Sequence, residues 1–423
     1  MVSNTPPATA ATVARSDADA ERLFLEIMLD PLNDDPYDAY RRLREQAPAL
    51  LTGDGTLVLT RFEDCDAALR HRALGKSNQI ADLGLSDVSR DQLDNVIGRI
   101  RHTMLFANPP DHTRLRRLVS SAFTVRHVEA LRTAVTARTG ALLEALAAEP
   151  GGDFMAAVAL PLPVNVISDL LGVPEADRLA FTPKVHALVA ALEPTADQES
   201  VTLGEQVGGE LSDYFSELLA DKRARPADDL LSRLVASHED DALDEEEMIS
   251  TALLLFAAGF ETTTNLLGNG LRALLRRPAQ LSRLRDHPEL IPTAVEELLR
   301  YDSPVQFDSR TVLEPTALAG ADLVPGRLVL TLLGAANHDP DRFEDPATLD
   351  LGRSDSGHLA FASGIHFCLG AHLTRLEAQV FLELLVRRYD VAPAGEPTRR
   401  PGFTLRGLDH LPVTLSPRPD DGV

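Results

Sequence analysis

The 423-residue chain has no tryptophan, only five tyrosines and only two cysteines. Two cysteines, Cys65 and Cys368, exclude a disulfide framework and paired C-x-x-C zinc modules, so each thiol is either inert in the core or reactive or ligating. Long apolar runs are missing as well. The strongest, 251–260 (TALLLFAAGF), is about half of the roughly 20 residues a membrane span needs, and it reads as part of a buried helix. Basic residues are in deficit: 41 Lys and Arg against 64 Asp and Glu leave a net charge of -23, which opposes nucleic acid and anionic membranes as partners. The N-terminus lacks the basic start and apolar block of a secretion signal, so residues 1–30 read as a flexible leader on a cytoplasmic chain.

What is present is an ordinary globular composition, 44% hydrophobic and 25% charged, with chain enough for a sizeable core. The pattern predicts a mainly α fold with minor β sheets. Asp54-Gly55 between two alternating apolar runs is a hairpin signal. Helical periodicity covers 110–148, with 77–104 before it reading as a long loop with one short helix. The acidic run 239–247 feeds the first turn of a helix over 245–277, whose apolar middle places it through the core. Strand-like segments at 310–320, 327–337 and 402–416 and a last helix over 369–389 complete the outline. No repeat of 20–50 residues is present.

Three segments carry chemistry. In HLAFASGIHFCLGAH (358–372), Cys368 sits where a loop becomes a helix, beside unpaired amides that favour a thiolate. Phe361, Gly364 and Gly370 flank it, the glycines letting backbone approach a bulky planar group, and His366 is placed to bond an anionic rim group. A thiolate ligand for haem iron would be built this way. An inert core thiol fits the loop too, as does, less well, zinc on His366, Cys368 and His372. The second segment, Ala258-Gly259-Phe260-Glu261-Thr262-Thr263-Thr264, puts a mid-helix glycine beside back-bonding threonines and predicts a local bulge. Glu261 with the adjacent hydroxyl makes a short proton relay, or else lies on an exposed stripe. Third, Glu297 and Arg300 face each other on one helix, and Arg342 from HDPDRF extends the pair into a bracing network.

In this order and spacing the three segments resemble the cytochrome P-450 superfamily of haem-thiolate monooxygenases, in its soluble bacterial form, from about Pro36 to Pro412. The resemblance implies a single catalytic domain over 31–423, with a long central helix over the haem and the Cys-ligand loop beneath it. It implies Cys368 as axial iron ligand, Glu261 and Thr262 as the acid and alcohol delivering protons, and Glu297, Arg300 and Arg342 as a structural triad. By the same resemblance His112 and Arg116 of PPDHTRLR, with Arg310 and His366, hold the propionates. Phe361, Gly364, Gly370 and Ala258 border the cofactor. Met104, Leu105, Ala257, Val305, Gln306, Phe307 and Leu405 contact the substrate. Ala362 stands where the family usually has a second glycine, and Glu261 replaces the commoner Asp.

The implied cofactor is haem b, with dioxygen as co-substrate, and the implied reaction is hydroxylation or epoxidation of a small, largely apolar secondary metabolite. No flavin fingerprint or iron-sulfur cysteine set is present, and Gly268-x-Gly270 lies inside a helix. Electrons from NAD(P)H would therefore arrive through ferredoxin and its reductase, docked in part by Arg114, Arg116, Arg117 and Arg126, on a monomer. Competing readings are a haem-thiolate enzyme of oxidative-coupling or peroxide-driven type, and a haem-binding sensor or recruitment module.

Overall fold

A computed structural model of the chain describes residues 17–77, 88, 95, 96, 98, 102–239, 243–355 and 357–419. Its principal helices are α1 (Ala18–Leu29), α2 (Tyr37–Gln46), α3 (Phe62–Arg70), α4 (Asp111–Ser120), α5 (Arg132–Ala147), α6 (Pro161–Leu171), α7 (Thr182–Ala190), α8 (Gln198–Ala224), α9 (Glu245–Leu275), α10 (Ile291–Tyr301) and α11 (Ala371–Arg388). The predicted class, mainly α with minor sheets, is what forms.

The main sheet draws strands from both ends of the chain. β1 (Ala49–Leu51) and β2 (Leu57–Leu59) are the predicted hairpin, with Gly55 at φ +87° in its turn, a conformation that favours glycine. β3 (Leu74–Gly75), β4 (Asp308–Val312) and β7 (Leu328–Thr331) complete the order β1-β2-β7-β4-β3, with β5 (Thr316–Leu318) and β6 (Ala321–Leu323) as a separate hairpin. β2 pairs with β7 in parallel, which fastens the N-terminal hairpin to the segment leading into the Cys loop.

Three expectations change. The leader does not reach residue 30: Leu23, Phe24, Ile27 and Met28 on α1 bury one amphipathic face beside Tyr40 and Leu43 of α2. The helical pattern over 110–148 is broken, because Thr124 adopts an extended conformation (φ -66°, ψ 150°) between short turns and α5. Of the predicted loop over 77–104, residues 78–87, 89–94, 97 and 99–101 lie outside the described residues.

The central helix α9 starts at a capping box. Asp244 accepts the Glu247 N–H at 2.7 Å, and Glu247 accepts the Asp244 N–H at 3.1 Å, so the acidic run supplies the cap and first turn. α9 packs against α6, α8, α10 and α11. It is one uninterrupted α-helix, so the predicted bulge is not there. Gly259 has a packing reason instead: a Cβ would fall 2.4 Å from Ile167 Cγ1 on α6. Thr263 back-bonds to nothing; its hydroxyl lies 3.1 Å from that of Thr374 on α11. In the middle of this helix, Leu254, Ala257, Ala258, Gly259 and Thr262 keep accessible surface, with Ala258 exposed. Counted from Leu254, Ala257, Ala258 and Thr262 follow at three, four and eight residues and so share one stripe.

Candidate active site

Phe361 to Cys368 form a closed loop just ahead of α11. The Cys368 N–H donates to the Phe361 carbonyl at 3.0 Å and the Phe367 N–H to the Gly364 carbonyl at 3.1 Å. Gly364 sits at φ +71°, and a Cβ there would lie 2.6 Å from the Leu69 carbonyl oxygen. α3 and the positive φ are thus sufficient reason for glycine there. Gly370 is the opposite case: a Cβ would meet nothing within 4 Å. Ala362, the departure from the family pattern, is held at φ +55°, which an L-residue adopts at a cost of about 1–2 kcal/mol.

Cys368 remains partly accessible, while Cys65 is buried with its thiol 3.4 Å from the Leu59 carbonyl. Burial pushes the Cys368 thiol up, against the amides of Gly370 and Ala371 and the guanidiniums of Arg116 and Arg375, which pull it down. The amides are where the sequence placed them, but desolvation of the protein alone outweighs them. Arg375 reaches the loop a second way. It forks onto Glu296 at 2.6 and 2.8 Å and stacks over the Phe361 ring, 4.6 Å from its centroid.

On the loop's other flank, donors gather without acceptors. His112 Nε2, His366 Nε2 and Arg310 Nη2 are all buried and unpartnered, and the His112 and His366 rings stand 4.4 Å apart. Burial with the nearby cations Lys76 and Arg310 holds His366 down to about 3. Asp308 takes both Lys76 and Arg310, the latter at 2.7 Å. Buried polar groups are rarely left unpaired, and three donors aimed into one place call for an anion. The carboxylates of a porphyrin rim have the right chemistry, the accessible stripe of α9 suits a flat apolar face, and Cys368 offers the sulfur, so the residues fit haem. Arg116 is only partly committed, its Nη2 donating to the Phe367 carbonyl at 2.6 Å. Among the described residues no group of three His, Cys, Asp or Glu side chains could hold a metal ion, so the zinc reading has no geometry behind it.

Glu261 is buried, not on an exposed stripe, and ion-paired to His186 and Arg400. Glu297 and Arg300 pair bidentately at 2.7 and 2.8 Å. The third member of their network is Arg353, whose Nε donates to Glu297 at 3.1 Å, and not Arg342. Arg342 instead forks onto Asp355 and stacks between Phe62 and Phe343, because its segment turns away from α10 before Arg353 returns to it.

The predicted substrate contacts divide. Met104 is half-buried against the core and Leu105 is exposed. Ala257 lies on the accessible stripe, and Val305 and Leu405, both half-buried, form an antiparallel bridge. Gln306 and Phe307 are buried and committed to other contacts. Gln306 accepts from the Tyr40 hydroxyl at 3.0 Å and donates to the Ser303 carbonyl at 2.7 Å. Phe307 stacks on Phe403 at 4.9 Å within the core around α1 and α2.

A partly accessible thiol in a closed loop before a helix, with unpartnered His112, His366 and Arg310 nearby, is compatible with a haem-thiolate protein. The family model "Cytochrome P450" matches residues 198–408. The monooxygenase PikC of Streptomyces venezuelae is 40% identical over 90% of this chain and 91% of its own length. The polyketide biosynthesis cytochrome P450 PksS of Bacillus subtilis is 38% identical over 90% and 96%. The crystal structure of Mycobacterium smegmatis CYP164A2 superposes with a TM-score of 0.85 at 36% identity, covering 93% of this chain and 100% of that one. The chain belongs to the cytochrome P450 family, and it is a P450 monooxygenase. No helix of the described residues is long and apolar enough to cross a membrane.

Proposed function

We propose that the chain is a cytoplasmic, monomeric haem b monooxygenase acting on a largely apolar secondary metabolite of polyketide type, by hydroxylation or epoxidation. The observation that carries the cofactor assignment is the convergence of unpartnered His112, His366 and Arg310 donors beside Cys368. When bound, the haem supplies reductive activation of dioxygen, favoured by thiolate donation. Cys368 holds the iron, and His112, Arg116, Arg310 and His366 hold the propionates. Glu261 and Thr262 move protons toward the accessible stripe of α9. Ala257, Ala258, Val305 and Leu405 shape a mainly apolar wall, and the carboxylate of Glu193 fixes the segment carrying Leu405 by accepting the N–H groups of Phe403 and Thr404 at 3.0 and 2.9 Å. The name of PksS supports the substrate class.

Electrons come from NAD(P)H through a ferredoxin and its reductase. Of the four arginines singled out, Arg114 is tied to Glu247 and Arg116 to the loop, leaving Arg117 and Arg126 exposed to meet an acidic partner. The test is a reconstituted assay with NADPH, ferredoxin and reductase. Thr262→Ala leaks reducing equivalents to peroxide, and Arg117→Glu slows reduction; a fully coupled Thr262→Ala enzyme refutes the relay, and an unchanged reduction rate in Arg117→Glu refutes the docking face. A peroxide-driven route would leave the acid and alcohol without a task.

A further inference from the structure

The two oxygens of Glu261 are held by different chemistry. Oε1 is bound by the guanidinium of Arg400, whose Nε also donates to Asp409 at 3.0 Å. Oε2 lies 2.9 Å from His186 Nε2, off the line of a formed hydrogen bond, and neither atom has another hydrogen-bond partner. The Glu261 side chain is 4% exposed, whereas that of His186 keeps 28%. The imidazole therefore spans the distance from a sealed carboxylate to the surface.

The other charged groups nearby are occupied. Lys184, also on α7, turns to Glu210 of α8 at 2.6 Å, and Glu193 is taken by backbone N–H groups of the Leu405 segment. Facing His186 among the described residues are Glu261 from α9 and, through it, Arg400 and Asp409 from the C-terminal strands.

We propose that His186 is the proton entry to Glu261, with Arg400 as the fixed charge that orients the carboxylate. The inference rests on the relay reading of Glu261 and Thr262. Monooxygenation reduces one oxygen atom to water with two electrons and two protons; the redox partner brings the electrons, and the protons must reach a buried acid. Arginine keeps its proton at every working pH and can only orient. Histidine changes charge in the working range and has two ring nitrogens, so it takes a proton from water at one and releases one from the other. Glu261 Oε2 receives that proton, passes a proton on toward Thr262, and returns to a carboxylate paired with Arg400.

The experiment uses the haem-loaded enzyme with NADPH and a surrogate ferredoxin and reductase. It follows oxygen consumption, peroxide formed per oxygen consumed and the solvent deuterium effect, from about pH 5.5 to 8. Wild-type, His186→Gln, His186→Arg and Glu261→Gln enzymes are compared, each first shown to give the wild-type carbon monoxide spectrum. Both His186 variants are expected to lose the pH-dependent limb and the deuterium effect and to slow by roughly tenfold, the low end for general acid–base groups. If His186→Arg restores wild-type behaviour, the residue only supplies a cation and the proposal is overturned. It is also overturned if Glu261→Gln is slow while His186→Gln matches wild type. If Glu261→Gln itself matches wild type, the relay reading fails first.

Discussion

At the residue scale, Ala362 is where the chain departs from its family and bears a cost. Its φ of +55° is easy for glycine and strained for alanine, and it lies in the loop that presents Cys368. Ala362→Gly is expected to stabilise the protein by up to about 1 kcal/mol, the left-handed penalty less the extra chain entropy of glycine. Urea denaturation reads this, and a loss of stability would show that the turn is not strained. Gly364→Ala should do the reverse, since the new Cβ would strike the Leu69 carbonyl. Sequence alone singled out Cys368, Glu261 and Thr262 because each lies in a contiguous run whose neighbours carry the signal. It could not find the partners of Glu261, because Arg400 is 139 positions away and a single histidine on an ordinary helix carries no mark of what it faces.

At the scale of elements, Glu297, Arg300 and Arg353 brace α10 against the loop over 344–353. Arg300 is fully buried and, besides Glu297, donates to the carbonyls of Asn337 and Pro346 at 2.9 Å each. Removing one partner of a buried pair costs about 3–5 kcal/mol. Arg300→Ala should therefore cost most, Arg353→Ala less because Glu297 keeps Arg300, and Arg342→Ala at most about 1–2 kcal/mol as a surface pair with ring contacts. Thermal unfolding of the three variants checks the order, and an Arg342→Ala loss equal to that of Arg300→Ala would contradict it. The i, i+3 pair was legible in sequence, but which later arginine joins it depends on how the loop turns, which periodicity does not encode. Gln306 and Phe307 likewise brace the core through Tyr40 and Phe403, contacts distant in sequence that the local pattern does not show.

At the scale of the molecule, part of the acid sensitivity follows from a histidine remote from the Cys loop, with His366 in that loop lowered in the same direction. His338 stacks on Tyr37 at 4.0 Å and pairs with the Tyr301 carbonyl at 2.9 Å; burial, with Arg300 close by, lowers it from 6.5 to about 3. Below the unfolded value the unfolded chain takes up a proton that the folded chain refuses, so stability falls as pH drops from about 6.5 toward 3, by about 1.4 kcal/mol per pH unit. Asp302, held well below the carboxylate range by Arg406 and Arg399 despite burial, adds to the loss at lower pH. His338→Gln keeps a donor for Tyr301 and should flatten the slope between about pH 4 and 6.5 in denaturation titrations; an unchanged slope would assign it elsewhere.

The fold class was readable from composition and periodicity, whereas the packed α1 and the broken helix before α5 depended on tertiary contacts. The whole account turns on one bond, that from Cys368 to haem iron. The most direct measurement is the absorption spectrum of the purified protein, reduced with dithionite and exposed to carbon monoxide, and the absence of tryptophan leaves the haem bands prominent over the protein. The account predicts the red-shifted carbon monoxide band that gives the family its name, abolished in Cys368→Ala. A band at the shorter wavelength of histidine-ligated haem, or no haem band after supplementation with haem, would contradict it.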